Sequence, residues 1–148
     1  MNDAALLASP LFRGATSEEI AAMLPCLGAS PRRFARGERI LRAGEPTRYM
    51  GLVLTGSVLV EHTDLQGAVT LLGRAEPGEL FAEAYACLGG EPLEVAVLAA
   101  ADAEVLFLSS VQALSCARPG AAEFTRNLLT ILAGRNLTLT RKIGHMAR

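Results

Sequence analysis

The side chains of this 148-residue chain that could do chemistry are few and scattered. Its two histidines, His62 and His145, stand far apart, with no His-x-His pair. A cupin-type metal enzyme needs clustered histidines and a carboxylate on facing strands. No nucleophile elbow, P-loop or metalloprotease motif is present either, so the sequence argues against an enzyme. The three cysteines, Cys26, Cys87 and Cys116, are odd in number and widely spaced. That pattern argues against a disulfide framework and reads as small apolar core residues. Cys87 stands apart because it follows the most informative stretch, residues 78–97. There a Gly78-Glu79 turn enters the apolar segment Phe81-Ala82-Glu83-Ala84. A Gly-rich loop and a strand-like run over 94–99 come next.

This stretch resembles the phosphate-binding cassette of cyclic-nucleotide-binding domains in the Crp/Fnr regulator family. In that family a Gly-Glu pair is followed, about ten residues on, by Arg-Ser or Arg-Thr; the Glu takes the ribose hydroxyl and the Arg the cyclic phosphate. Glu83 keeps the acid here. The Gly is Ala82, the Arg is Leu93 and the Ser is Glu94. Further turns resemble the family in order and spacing: residues 40–45 with Gly44-Glu45, the Gly56-Ser57-Val58 hairpin, and Pro77-Gly78-Glu79. The chain lacks the clustered N-terminal cysteines of the family's iron–sulfur sensors.

Composition bounds the partners. The length is that of one domain, and 51 % apolar residues suffice for a core. A net charge of −1 leaves no overall electrostatic footprint for nucleic acid. No apolar run spans a bilayer and no basic leader precedes the first residues, so a cytoplasmic protein without membrane contact is expected.

The elements follow from periodicity. Thr16-Ser17-Glu18-Glu19 is a capping-box pattern ahead of Ile20, Met23 and Leu24 at helical spacing. Short β-prone runs then appear at 39–43, 49–54, 58–62, 68–72, 80–83, 94–99 and 104–108, separated by Gly, Pro and Asp turns. Evenly punctuated short strands indicate a jelly roll. The expected fold is mainly β, a cupin-like double-stranded β-helix with N-terminal helices and a long C-terminal helix. The unbroken apolar run Val58-Leu59-Val60 predicts a strand covered on both faces. Ser109-x-x-Gln112 caps another helix, and residues 121–146 read as one helix about 40 Å long.

That closing helix carries a heptad seam. Leu129, Asn136 and Ile143 fall at a; Thr125, Leu132, Leu139 and Met146 fall at d. Arg135 and Lys142 flank it at g. A second stripe, Phe124, Leu128 and Ile131, lies on another face. Two apolar faces imply one packed on the roll and one on a partner's helix. The expected organisation is a sensory roll over 1–118 and a dimerisation helix over 119–148. The resemblance implies a helix-turn-helix domain after this helix. The chain stops where that domain would begin, so DNA contact is expected only through a region outside this sequence.

By resemblance, a ligand lies between the cassette and the long helix, near Phe81, Ala82, Glu83, Leu93, Glu94, Leu139 and Thr140. The family meets the base with a Thr-Ser pair, where this chain has Leu139-Thr140. A buried phosphate without a cation is costly, so cyclic AMP is not expected to bind. The remaining pocket is expected to be apolar, lined by Phe81, Leu93, Leu132 and Leu139 with Glu83. Three occupants remain open: a small apolar effector with a polar tip, a haem, or the protein's own side chains. Haem needs an axial ligand, and the candidates are His62, His145, Cys87 and Met50. The functions to weigh are an effector-sensing, dimerising domain of a Crp/Fnr-type transcription regulator, a dimeric interaction module with a vestigial pocket, and a haem-based gas sensor.

Overall fold

A computed structural model describes residues 3–146, with the side chains of residues 4–144. Three N-terminal pieces come first: α1 (Asp3–Ala8), a 3-10 turn (Pro10–Phe12) and α2 (Ser17–Cys26). The capping box forms at α2, where the Glu19 N–H donates to Thr16 Oγ1 at 3.1 Å and the Thr16 N–H to Glu19 Oε1 at 2.9 Å. Two of the orphan donors at the helix start are thereby satisfied.

Eight strands follow: β1 (Ser30–Phe34), β2 (Arg39–Leu41), β3 (Tyr49–Thr55), β4 (Val58–Thr63), β5 (Val69–Ala75), β6 (Leu80–Phe81), β7 (Ala96–Ala99) and β8 (Ala103–Ser109). The short helix α3 (Glu83–Leu88) interrupts them after β6, and α4 (Ser110–Ser115) and α5 (Ala121–Met146) complete the chain. The strands make two antiparallel four-stranded sheets, in the orders β1-β8-β3-β6 and β2-β7-β4-β5. This is the expected jelly roll. Among the described residues no helix is long and apolar enough to cross a membrane.

Two apolar layers position the elements. Between the sheets pack Phe34, Val53, Val58, Phe81, Val97, Val105 and Phe107. The outer face of the first sheet is covered by helices, with Met50, Leu52, Leu54, Leu106 and Leu108 meeting Leu6, Phe12, Met23, Phe124 and Leu128. The strands covered on both faces are therefore β3 and β8, whose central residues are buried without alternation. In β4, expected to be doubly covered, only Val58 is fully buried. The difference follows from where the helices lie: they cap one sheet, and β4 belongs to the other. Edge strand β1 has no apolar alternation in Ser-Pro-Arg-Arg-Phe, and only Phe34 turns inward. An edge tolerates Pro31 because no neighbour needs its missing N–H on that side.

Helix α5 spans the expected range. Phe124 and Leu128 are buried against the helical layer, whereas Leu129, Leu139 and Ile143 are exposed. Asn127 Nδ2 ties the helix to the 3-10 segment, donating to the Leu11 and Arg13 carbonyls at 3.0 Å each. The side chains of Met146 and His145 lie outside the described residues.

Gly51 on β3 is set by packing. A Cβ there would overlap the ring of Phe81, which stands across the strand pair. Phe81 meets Phe107 edge-on at 6.4 Å, and Phe107 meets Phe34 at 6.3 Å. Gly51→Ala is expected to push Phe81 off its site and to destabilise the fold by about 1–3 kcal/mol, as overpacked cores do. Chemical denaturation reads this directly. An unchanged midpoint would mean that Phe81 is not fixed by β3.

Candidate functional site

Strand β6 ends at Phe81, and the chain must turn at once into α3. Ala82 makes the turn with φ 61°, ψ 16°, the left-handed conformation, and is the non-glycine residue with positive φ among those described. A Cβ in that region is strained by about 1–2 kcal/mol. The turn places Glu83 as the first residue of α3, with only 3 % of its surface exposed.

The partner of Glu83 comes from far along the chain. Arg135, on α5, donates through Nη1 to Glu83 Oε1 and through Nη2 to the Leu80 carbonyl at 2.8 Å. One guanidinium thus grips both ends of the β6–α3 corner. The arginine side chain remains half exposed while the carboxylate is sealed. The second oxygen, Glu83 Oε2, is buried with no hydrogen-bond partner in the structure. Buried acceptors of this kind are rare and costly.

Beside this pair lies an open cavity of about 540 Å³, within the range of small-molecule sites. Its walls are largely apolar: Val60 and Leu72 from the β4–β5 hairpin, Phe81, Val95 and Val97, and Leu139 from α5. Arg74, Glu83, Tyr85 and Arg135 bring the polar groups. Arg74 is itself held by Glu76 Oε1 at 2.7 Å and by Ser57 Oγ at 3.0 Å.

The residues read from the sequence separate into two groups. Phe81, Ala82, Glu83 and Leu139 come together around the cavity. Leu93, Glu94 and Thr140 are not among its lining residues. Leu93 is buried near the Gly44-Glu45 turn, its backbone bonded to both those residues. Glu94 is exposed, with its N–H directed at the Tyr85 hydroxyl at 3.4 Å. Thr140 bonds back to the Asn136 carbonyl on the outside of α5. Leu132 packs on the helical core instead of the cavity. Of the haem-ligand candidates, Met50 is sealed in the helical core, and His62 and Cys87 are exposed. None of these three lines the cavity, so among the described residues these candidates do not fit an axial-ligand role. Arg135 was assigned only to the flank of the seam; its pairing with Glu83 depends on the tertiary path.

Residues 31–118 match the cyclic nucleotide-binding domain. The chain belongs to that family. No curated protein sequence matches it at a significant level. Among solved structures, the catabolite activator protein of Thermus thermophilus is 27 % identical with a TM-score of 0.80, over 94 % of this chain and 63 % of that one. This chain therefore spans less than two thirds of that relative. The N-terminal domain of a transcriptional regulator from Streptomyces coelicolor A3(2) is 22 % identical with a TM-score of 0.70, over 94 % of both chains. CprK, solved in its oxidised form with o-chlorophenolacetic acid, is 15 % identical with a TM-score of 0.71, over 87 % of this chain and 52 % of that one. The fold is that of the sensor domains of Crp/Fnr-type regulators.

Two outcomes test the cassette. Ala82→Gly is expected to raise stability by about 1 kcal/mol by relieving the left-handed strain; loss of stability would place the strain elsewhere. Cys87, on the outer side of α3, has its thiol pushed above the ordinary value by partial desolvation and then by the nearby Glu83 carboxylate. Its alkylation at pH 7 is expected to be slower than that of a free thiol, with the rate profile displaced to higher pH. Glu83→Gln should move that profile back down, and no movement would contradict the electrostatic coupling.

Proposed function

We propose that this chain is the effector-sensing and dimerisation part of a Crp/Fnr-type transcription regulator, and that its effector is not a cyclic nucleotide. The observation that carries this reading is the open, apolar-walled cavity between the cassette and α5, with a buried, half-satisfied carboxylate at its edge. Phosphate recognition needs a cation or a ring of donors. Leu93 supplies neither, and Ala82 puts a methyl group on the turn. Arg135 is already engaged with Glu83 and Leu80, and Arg74 with Glu76 and Ser57.

The complementary ligand is small and mainly apolar, and it carries a hydroxyl or N–H that can donate to the Glu83 carboxylate. CprK, which shares this fold, is in complex with o-chlorophenolacetic acid, a small aromatic acid and not a nucleotide. A ligand that reaches Glu83 also touches the pair that joins the cassette to α5, so binding can shift the helix between two arrangements.

The dimer part rests on α5. Leu129, Leu139 and Ile143 are 62 %, 57 % and 59 % exposed, along the heptad seam that includes Asn136. A second copy's seam would cover that stripe. Sedimentation at micromolar concentration is expected to give twice the chain mass, and Ile143→Asp to give the monomer without loss of fold. A wild-type chain that stays monomeric overturns the dimer. For the pocket, calorimetry with cyclic AMP and cyclic GMP is expected to show no binding tighter than about 10 μM, near −7 kcal/mol. A tighter constant overturns the non-nucleotide reading. A thermal-shift screen of phenols and aromatic acids should find ligands whose stabilisation is lost in Glu83→Gln.

A further inference from the structure

The cysteines expected to be separate core residues include a bonded pair. Cys26, the last residue of α2, and Cys116, the residue that caps α4, form a disulfide with Cα atoms 5.6 Å apart. That separation is ordinary for the bond. The two are 90 residues apart in sequence, so the link closes the whole β-roll into one loop.

Its position matters more than its presence. Cys116 lies in the linker between α4 and α5, five positions before Ala121 begins the long helix. The end of α2 already leans on this region. The Ser109 N–H donates to the Leu27 carbonyl at 2.9 Å. The Gln112 side chain covers Gly28, and Met23 sits against Gly120. Both cysteines are half-buried, not sealed, so a small reagent can reach them. Farther along, Asn127 and Arg135 hold the body of α5 to the domain. The disulfide is the covalent tie at the root of the same helix.

We propose that Cys26 and Cys116 are a reversible thiol–disulfide site whose reactant is a low-molecular-weight disulfide, and that its redox state sets how firmly the root of α5 is held to the N-terminal helices. In the forward direction one cysteine thiolate attacks a sulfur of the small disulfide. That S–S bond breaks, a mixed disulfide forms and one small thiol leaves. The second cysteine then attacks the protein sulfur of the mixed disulfide and expels the second small thiol. Two protein thiols are oxidised, one small disulfide is reduced, and the two protons end on the departing thiols. Reduction by excess small thiol is the reverse. Cys87, exposed on α3 and unpaired, takes no part.

The test uses the full chain carrying Cys87→Ser, so that only the pair reports. The protein is equilibrated natively in buffers of varied glutathione to glutathione-disulfide ratio, quenched with acid, denatured and alkylated. Mass spectrometry is expected to show two labels or none, interconverting as the ratio changes. Two labels in every buffer would mean that no site exists. No labels even in excess reduced glutathione would mean a static staple, and either result overturns the proposal. Hydrogen exchange on the two forms reads the effect on the helix. On reduction, amides of residues 116–121 and the first turns of α5 are expected to exchange at least ~5-fold faster, while β3 and β8 are unchanged, as for a local opening. Cys26→Ser should behave like the reduced form in either buffer. Equal exchange in both forms overturns the link to α5. None of these readouts involves an effector or a cyclic nucleotide, so their failure leaves the proposed sensing function untouched.

Discussion

The Glu83–Arg135 pair is the constraint on which the sensory geometry depends. It joins the cassette, built by local turns, to a helix that arrives much later in the chain. Without Arg135, the buried carboxylate would face apolar walls with no partner, a state that folded proteins avoid by several kcal/mol. With it, α5 is held against the mouth of the cavity, and Leu139 becomes part of its wall. The second guanidinium bond, to the Leu80 carbonyl, fixes the backbone at the point where the strand ends.

Other features make sense as support for that corner. The first sheet is sandwiched between the inter-sheet layer and the helices, so β3 and β8 are buried on both faces. β6 pairs with β3, and Gly51 leaves room for Phe81 to reach the core. The corner is thus anchored on one side by aromatic packing and on the other by an ion pair. Strain at Ala82 is tolerated between these two anchors. The unpaired Glu83 oxygen is the polar demand they leave unmet, and Glu83 is among the residues that line the cavity.

Much of this was legible from the residues. The glycine turns, the Thr16–Glu19 capping box, the Ser109 cap and the bounds of α5 all rest on local chemistry, and local chemistry is written in short windows. The two stripes of α5 were legible for the same reason, since Phe124 and Leu128 repeat at helical spacing and do turn inward. What failed to show were contacts set by the chain's path. Nothing near Arg135 marks it as the partner of an acid on another element. Nothing near Cys26 marks Cys116. Edge strand β1 lacks the alternation by which strands are recognised, because an edge need not bury it. The run 80–83 read as strand, yet it breaks at Ala82, where the left-handed turn starts α3. No apolar pattern signals that turn when the residue is not glycine. Leu93 and Thr140 were assigned to the ligand by resemblance to the family, and they are not among the residues that line the cavity.

The most direct test of the account is a double-mutant cycle on the pair at its centre. Wild type, Glu83→Gln, Arg135→Met and the double variant would be unfolded in denaturant under conditions that keep the cysteines in one redox state. The account predicts a coupling of about 1–3 kcal/mol, typical of a desolvated charge pair that is partly open to water. It also predicts that Arg135→Met alone is more damaging than the double variant, because it strands a buried carboxylate. A coupling below about 0.5 kcal/mol, the level of an exposed surface pair, would contradict the claim that this contact holds α5 to the cassette.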